Sequence, residues 1–206
     1  MKIEKNLKKV ERILRRGGVG IFPTDTLYGL IGSAFSKKAV RRIYQLRKRN
    51  FKKPLIILIS KRKDLGLFGV HPDKQTRTVL DALWPGKVSV ILPCNVKRFF
   101  YLHRATNTLA FRLPRKKALL KLMNKIGPIV APSANPQGKA PAVTAQKAFG
   151  YFGDRVDFYL NGGTLKSKPS TLVAVRNGRV TVKRKGALKF PKRSNVSTFQ
   201  YKRFPA

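Results

Sequence analysis

Ile3, Leu7, Val10 and Leu14 recur at helical spacing and Gly17-Gly18 follow as a stop, so the pattern predicts an amphipathic helix over residues 3–16. A short apolar run, 19–22, is then halted by Pro23, which removes a backbone donor and fixes φ. It reads as a buried strand delivering a hydroxyl-rich loop, Thr24-Asp25-Thr26. Ser36 can cap a second helix with Val40, Ile43, Tyr44 and Arg47 on one face, and Pro54 opens a strand over 55–59. Residues 72–83 predict a further helix, broken by Trp84-Pro85-Gly86 ahead of a strand over 87–92. The stretch 93–107 has weak periodicity and reads as an irregular loop.

Residues 108–113 predict a strand with Arg112 near its end, and 115–126 a helix closed by Gly127-Pro128. The run 129–131 enters Pro132-Ser-Ala-Asn-Pro-Gln-Gly138, a second strand ending in a small polar loop. Thr144 can cap a short helix through 149, and 156–160 reads as a strand. Asn177-Gly178 joins 172–176 to 179–184, the strongest short-range hairpin signal. Roughly seven strands thus alternate with five helices, connected by helices and hairpins both. That predicts an α+β (α/β layered) domain over residues 1–186 with a twisted mixed sheet, then a basic C-terminal tail, 187–206.

Composition changes this picture mainly through charge. Against 46 Lys and Arg stand 8 Asp and Glu, a formal charge of +38, and no acid lies beyond residue 157. Such a chain repels itself when compact, so an anionic partner is expected, with tRNA or another RNA first because basic side chains displace condensed counterions from phosphates. The plain alternative is a basic surface that reflects the ionic setting of the source, and charge alone does not separate the two. No apolar window approaches a membrane span and the N-terminus has no apolar signal core, which predicts no membrane association and a cytoplasmic location. Cys94 is the single cysteine, and the two histidines, His71 and His103, are far apart; no metal site is expected.

The candidate chemistry is defined by what is missing. There is no phosphate-binding glycine loop, no Gly-x-Ser-x-Gly elbow and no carboxylate pair. What remains is a set of Thr, Ser, Asn and Arg near strand ends: Thr24, Thr26, Arg47, Arg49, Thr108, Arg112, Ser133, Asn135, Ser170, Thr171 and Arg184. Such side chains supply no general base near neutral pH, but they hold anions and orient reactants, which favours a nucleophile brought by the substrate. Taken alone, Thr24-Asp25-Thr26 is as well explained by an ordinary Asx turn.

In order, Phe-Pro-Thr-Asp-Thr-Leu-Tyr-Gly-Leu (22–30), Arg-Lys-Arg with Lys-Pro-Leu (47–49, 53–55), Trp-Pro-Gly (84–86), Leu-Ala-Phe-Arg-Leu-Pro (109–114), Pro-Ser-Ala-Asn-x-x-Gly (132–138), Pro-Ser-Thr (169–171) and Lys-Arg-Lys-Gly (183–186) resemble the YrdC family, the threonylcarbamoyl-AMP synthases. The resemblance covers about residues 8–186. It implies a concave basic cavity and conversion of L-threonine, bicarbonate or CO2, and ATP to threonylcarbamoyl-AMP and pyrophosphate, with Mg2+ arriving on ATP. The product would serve the tRNA threonylcarbamoyl-transferase machinery. By the resemblance, Thr26, Arg112, Ser170 and the backbone near Ala131 hold L-threonine. Arg49, Lys53, Thr108, Ser133, Asn135 and Arg184 contact ATP, and Arg47 and Arg49 form the catalytic basic motif. Arg47 stands where the family usually has Lys, Gln137 where a small hydroxyl residue is usual, Lys87 for Pro and Ala174 for Asp. A non-catalytic RNA-binding or ribosome-associated protein on the same fold is the rival expectation, and it rests on the charge.

Overall fold

The computed structural model describes residues 3–188. In chain order the elements are α1 (Leu7–Arg15), β1 (Val19–Pro23), β2 (Tyr28–Ser33), α2 (Lys37–Leu46), β3 (Ile56–Leu58), α3 (Lys74–Leu83), β4 (Val88–Pro93), α4 (Phe100–His103), β5 (Thr108–Arg112), α5 (Lys117–Ile126), β6 (Ile129–Val130), α6 (Ala145–Phe152), β7 (Phe158–Tyr159), β8 (Thr171–Arg176) and β9 (Arg179–Arg184). The strands form one sheet in the order β7-β1-β2-β6-β3-β5-β4-β8-β9. The pairs β1/β7, β3/β5 and β4/β8 are parallel and the other neighbours antiparallel, so the sheet is mixed as predicted.

Successive strand residues serve opposite faces, as the pleat requires. Ile21, Leu30, Ile57 and Val130 pack with Val40, Ile43 and Tyr44 of α2 and with α3 and α6. Phe22, Ile31, Leu58 and Ile129 pack on the other side with Val10 and Leu14 of α1 and Leu119, Leu122 and Met123 of α5. Helices therefore cover both faces of the sheet.

The sheet has nine strands rather than about seven. β2 went unread because Tyr28 to Gly32 are all buried; a strand covered on both faces has no polar alternation to betray it, and its two glycines read as loop. The first helix starts four residues later than predicted, because Asn6 accepts the Lys8 and Lys9 amides at its N-terminus. Ile3 instead forms a parallel bridge with Tyr159, extending the β7 edge. The stretch read as an irregular loop contains a 3-10 turn, Lys97–Phe99, and α4. The caps predicted at Ser36 and Thr144 are both made, to the Ala39 and Lys147 amides.

Of the predicted tail, Ala187 and Leu188 are described and tied to the domain. The Ala187 amide donates to Pro169 O (2.8 Å), and Leu188 exchanges two hydrogen bonds with the Thr171 hydroxyl. Residues 189–206 lie outside the described part. No described helix is long and apolar enough to cross a membrane.

Candidate active site

The β1–β2 hairpin turns through Thr24 to Leu27, and Thr24 makes the turn. Its hydroxyl accepts from the Thr26 and Leu27 amides and donates to Leu27 O (2.7 Å). Asp25, the residue suspected of an Asx turn, is thereby released to face Arg112 at the end of β5. Arg112 Nη2 meets Asp25 Oδ1 at 2.5 Å, Nη1 donates to Thr26 Oγ1 at 3.0 Å, and Nε donates to Gly86 O at 3.0 Å. Asp25 Oδ2 accepts the Arg115 amide. Arg112 is 4% exposed, and burial pulls it below the usual guanidinium range against the upward pull of Asp25. Three of its five N–H groups are engaged, so two remain for a ligand.

Three more guanidinium groups converge on the same cavity without a carboxylate between them. Arg47, where α2 ends, is 5% exposed; its Nε donates to Asn135 O (2.8 Å), and Nη2 reaches Ser133 Oγ and Asn135 Oδ1 at 3.4 Å. Arg49 donates to Lys53 O and Pro54 O. Arg184, at the end of β9, donates to Ser170 O (2.8 Å) and Ser170 Oγ (3.4 Å). All three are held by neutral oxygens, and none is ion-paired among the described residues. Burial followed by the charge of Arg49 pushes Arg47 down to about 10 and lowers Arg184; Arg49 is lowered by burial. Like charges that repel one another, one buried (Arg47), one half-buried (Arg49) and one exposed (Arg184), are satisfied by an incoming anion of several charges.

The cavity they share, about 190 Å³, is lined by Thr24, Thr26, Arg47, Arg49, Arg112, Ala131, Ser133, Ser170 and Arg184 together with Pro54, Leu58 and neighbours. Cavities of about 550 and 520 Å³ near His71 are larger. Neither is lined by a buried cation, whereas Arg47 and Arg112 here are both buried, so chemistry rather than size selects the site. Among the predicted residues outside the lining, Asn135 lies directly behind it. Its carbonyl holds Arg47, and its amide donates to Pro136 O and Lys139 O. Lys53 offers its carbonyl to Arg49 and to Tyr44, and its own side chain does not line the cavity. Thr108 lies at the far end of β5 from Arg112 with its hydroxyl on Thr106. Carrying the β3–β5 register two residues back nevertheless sets it beside Pro54, which does line the cavity.

Two neighbours of Ser170 had no role in the sequence reading, although Gly186 closes the Lys-Arg-Lys-Gly motif. Ser89, fully buried in β4, contacts the Ser170 hydroxyl at 2.9 Å; a lone serine in an apolar strand was the only available signal. Gly186 packs on the Pro-Ser-Thr backbone: a Cβ there would lie 2.5 Å from Ser170 C and Thr171 N and closer still to Pro169 O. Gly186→Ala must therefore displace Ser170, and an overpacking cost of about 1–3 kcal/mol is expected. Thermal denaturation reads that cost, and an unchanged midpoint would show that the segment yields freely. Gln137, a departure from the family pattern, accepts the Asn50 amide while its own amide donates to Arg47 O, tying the basic loop to the Ser133 loop.

An architecture of this kind, a mixed sheet whose strand ends converge on a basic cavity, defines an anion-binding α/β class. The Sua5/YciO/YrdC family profile, described as "Telomere recombination", matches residues 12–186. The threonylcarbamoyl-AMP synthase of Hahella chejuensis is 32% identical over 177 residues, 84% of this chain and 96% of that protein. The threonylcarbamoyl-AMP synthase of Bacillus subtilis is 34% identical over 73% of this chain and 44% of its own length. A solved structure of P. abyssi Sua5 complexed with L-threonine superposes with a TM-score of 0.82 at 28% identity, over 90% of this chain and 56% of that longer one. The chain belongs to the Sua5/YciO/YrdC family.

Proposed function

We propose that this protein is a threonylcarbamoyl-AMP synthase, a nucleotidyltransferase that joins L-threonine, CO2 or bicarbonate, and ATP with loss of pyrophosphate. The observation that carries the reading is the set of unpaired guanidinium groups, Arg47, Arg49 and Arg184, beside the charge-balanced Arg112–Asp25 pair. One half of the cavity suits a polyphosphate. The other suits a zwitterion, with two free N–H groups of Arg112 for the carboxylate and Thr26, Ser170 and the Ala131 backbone for the amine and hydroxyl.

In this scheme the threonine ammonium gives a proton to solvent, the freed amine adds to CO2 and sheds a second proton to solvent as the carbamate forms, and a carbamate oxygen attacks the α-phosphorus in line as the pyrophosphate oxygen departs. The nucleophile belongs to the substrate, so no protein base is needed. Arg47 and Arg49 stabilise charge growing on the phosphoryl oxygens, and Ser133 and Arg184 hold the remaining phosphates. Magnesium enters as part of the Mg–ATP substrate; no three His, Cys, Asp or Glu side chains cluster to hold a resident ion among the described residues. The labile mixed anhydride would pass to tRNA-modifying machinery, and the +38 charge suits contact with tRNA at that step. A purely RNA-binding role leaves the Arg112–Asp25–Thr26 constellation without a task and is the weaker reading.

Incubation with Mg–ATP, bicarbonate and L-threonine is expected to release pyrophosphate only when all are present. Release that proceeds equally without threonine would overturn the assignment.

A further inference from the structure

We infer that Phe51 is a stacking platform for the purine base of the nucleotide substrate, a subsite at the outer edge of the basic cavity. The inference rests on ATP being that substrate, and it deepens the proposed function by saying where the base goes. Phe51 is 49% exposed in the loop between Arg49 and Pro54, both of which line the cavity. An exposed aromatic ring in a loop is ordinarily mobile, but this one is fixed from behind. It stacks on Tyr44 with centroids 5.1 Å apart and planes inclined by 19°, and Tyr44 is fully buried. The Arg104 guanidinium lies 4.6 Å from the Tyr44 centroid and 5.5 Å from that of Phe51. Arg104 Nε is buried without a hydrogen-bond partner, and the guanidinium lies against both ring faces. Its backbone is left-handed, as are Ala105 and Asn107, a turn that sets Arg104 in one place.

The platform is linked to the phosphate end of the cavity through one atom. Tyr44 OH (2.9 Å) and Arg49 Nε (3.2 Å) both donate to Lys53 O, so the phenol beneath Phe51 and a cavity guanidinium share a single carbonyl. A ligand whose phosphates lie against Arg49 therefore finds an aromatic face within the reach of its own nucleoside. Lys48, Arg49 and Lys52 flank Phe51 along the chain, Arg104 lies 5.5 Å from its ring centroid, and the loop 47–54 carries no acid. A flat, electron-rich, anionic ligand fits this chemistry, whereas a hydrophobic peptide would leave the cations unpaired. One isolated ring suits one base; a single-stranded RNA calls for a succession of such rings.

Calorimetric titration of the full-length protein with Mg–ATP and with magnesium tripolyphosphate tests the inference, since the second ligand lacks the base. Phe51→Ala is expected to weaken ATP binding about 5- to 100-fold, the range of one base–aromatic stack, while tripolyphosphate binding is unchanged and Phe51→Trp keeps ATP affinity. Equal ATP affinities for wild type and Phe51→Ala would overturn it. So would equal losses for ATP and tripolyphosphate, which would mark a collapsed loop, or a loss confined to a labelled single-stranded RNA. This binding measurement stands apart from the pyrophosphate assay: a protein that fails to consume threonine still reports whether a base sits on Phe51.

Discussion

Arg112→Ala is expected to damage the protein twice, in threonine use and in folding. Read from the sequence, the substitution should weaken threonine use much more than folding. The structure adds a folding cost to that expectation. Among the described residues Arg112 is the one ion-pair partner of Asp25, and it also bonds Thr26 and Gly86 O, so its removal strands a carboxylate that is only 13% exposed. Breaking such a pair costs about 3–5 kcal/mol, and for a chain of this size the melting temperature falls by about 2–4 °C per kcal/mol. Threonine-dependent pyrophosphate release should fall by about 10²-fold or more, the scale of losing one organised charge-stabilising donor. Adding Asp25→Asn to Arg112→Met removes the stranded charge and should recover part of the stability but none of the activity. Scanning calorimetry alongside the assay separates the two effects; a double variant no more stable than Arg112→Ala would refute the pairing argument.

Arg47→Met is expected to show the opposite balance, a large loss of activity with little change in stability. Arg47 has no acid to strand. Its removal costs the hydrogen bond to Asn135 O, about 1–3 kcal/mol, while relieving a charge that burial and Arg49 disfavour. Activity should drop by about 10²- to 10³-fold if this donor stabilises the phosphoryl transition state. The pH dependence follows from the lowered value of about 10. Between that value and the ordinary range the unfolded chain keeps a proton that the folded protein has released, so this group's penalty on stability is present below pH 10 and relieved above it. Bound triphosphate reverses the preference by holding Arg47 charged. The rise in melting temperature produced by Mg–ATP should therefore exceed that of Arg47→Met at pH 8, and the margin should shrink at pH 10.5. A margin that is constant with pH would remove Arg47 from the phosphate site.

The parts of this molecule that were legible in the sequence are those whose cause is local. The Asn177-Gly178 hairpin has the residue pairing it predicts from Arg176 opposite Arg179 to Val173 opposite Val182, before a register shift at Leu172, because left-handed turn geometry is written into two adjacent residues. The Ser36 and Thr144 caps are local as well. β2 was not legible, since it is buried on both faces, by α2 on one and by α1 with α5 on the other, which leaves no polar alternation to read. At the site, residue identities could be read from motifs, but their pairings could not. Nothing in Thr24-Asp25-Thr26 says that Thr24 rather than Asp25 makes the turn, or that Asp25 reaches Arg112 across 87 positions. Likewise nothing in the motif says that the Asn135 carbonyl accepts from Arg47. Ser89 carried no pattern at all, since only the parallel β4–β8 register brings it beside Ser170.

That same register has a mechanical consequence. Ser170 leads into β8 and Arg184 ends β9, the edge strand, so two grips assigned to different substrates hang on one terminal hairpin. Edge elements open first when a fold breathes. If this hairpin parts from β4, Ser170 and Arg184 leave the cavity in the same event, so both reactants loosen together while Arg112, Thr26, Arg47 and Arg49 keep their places.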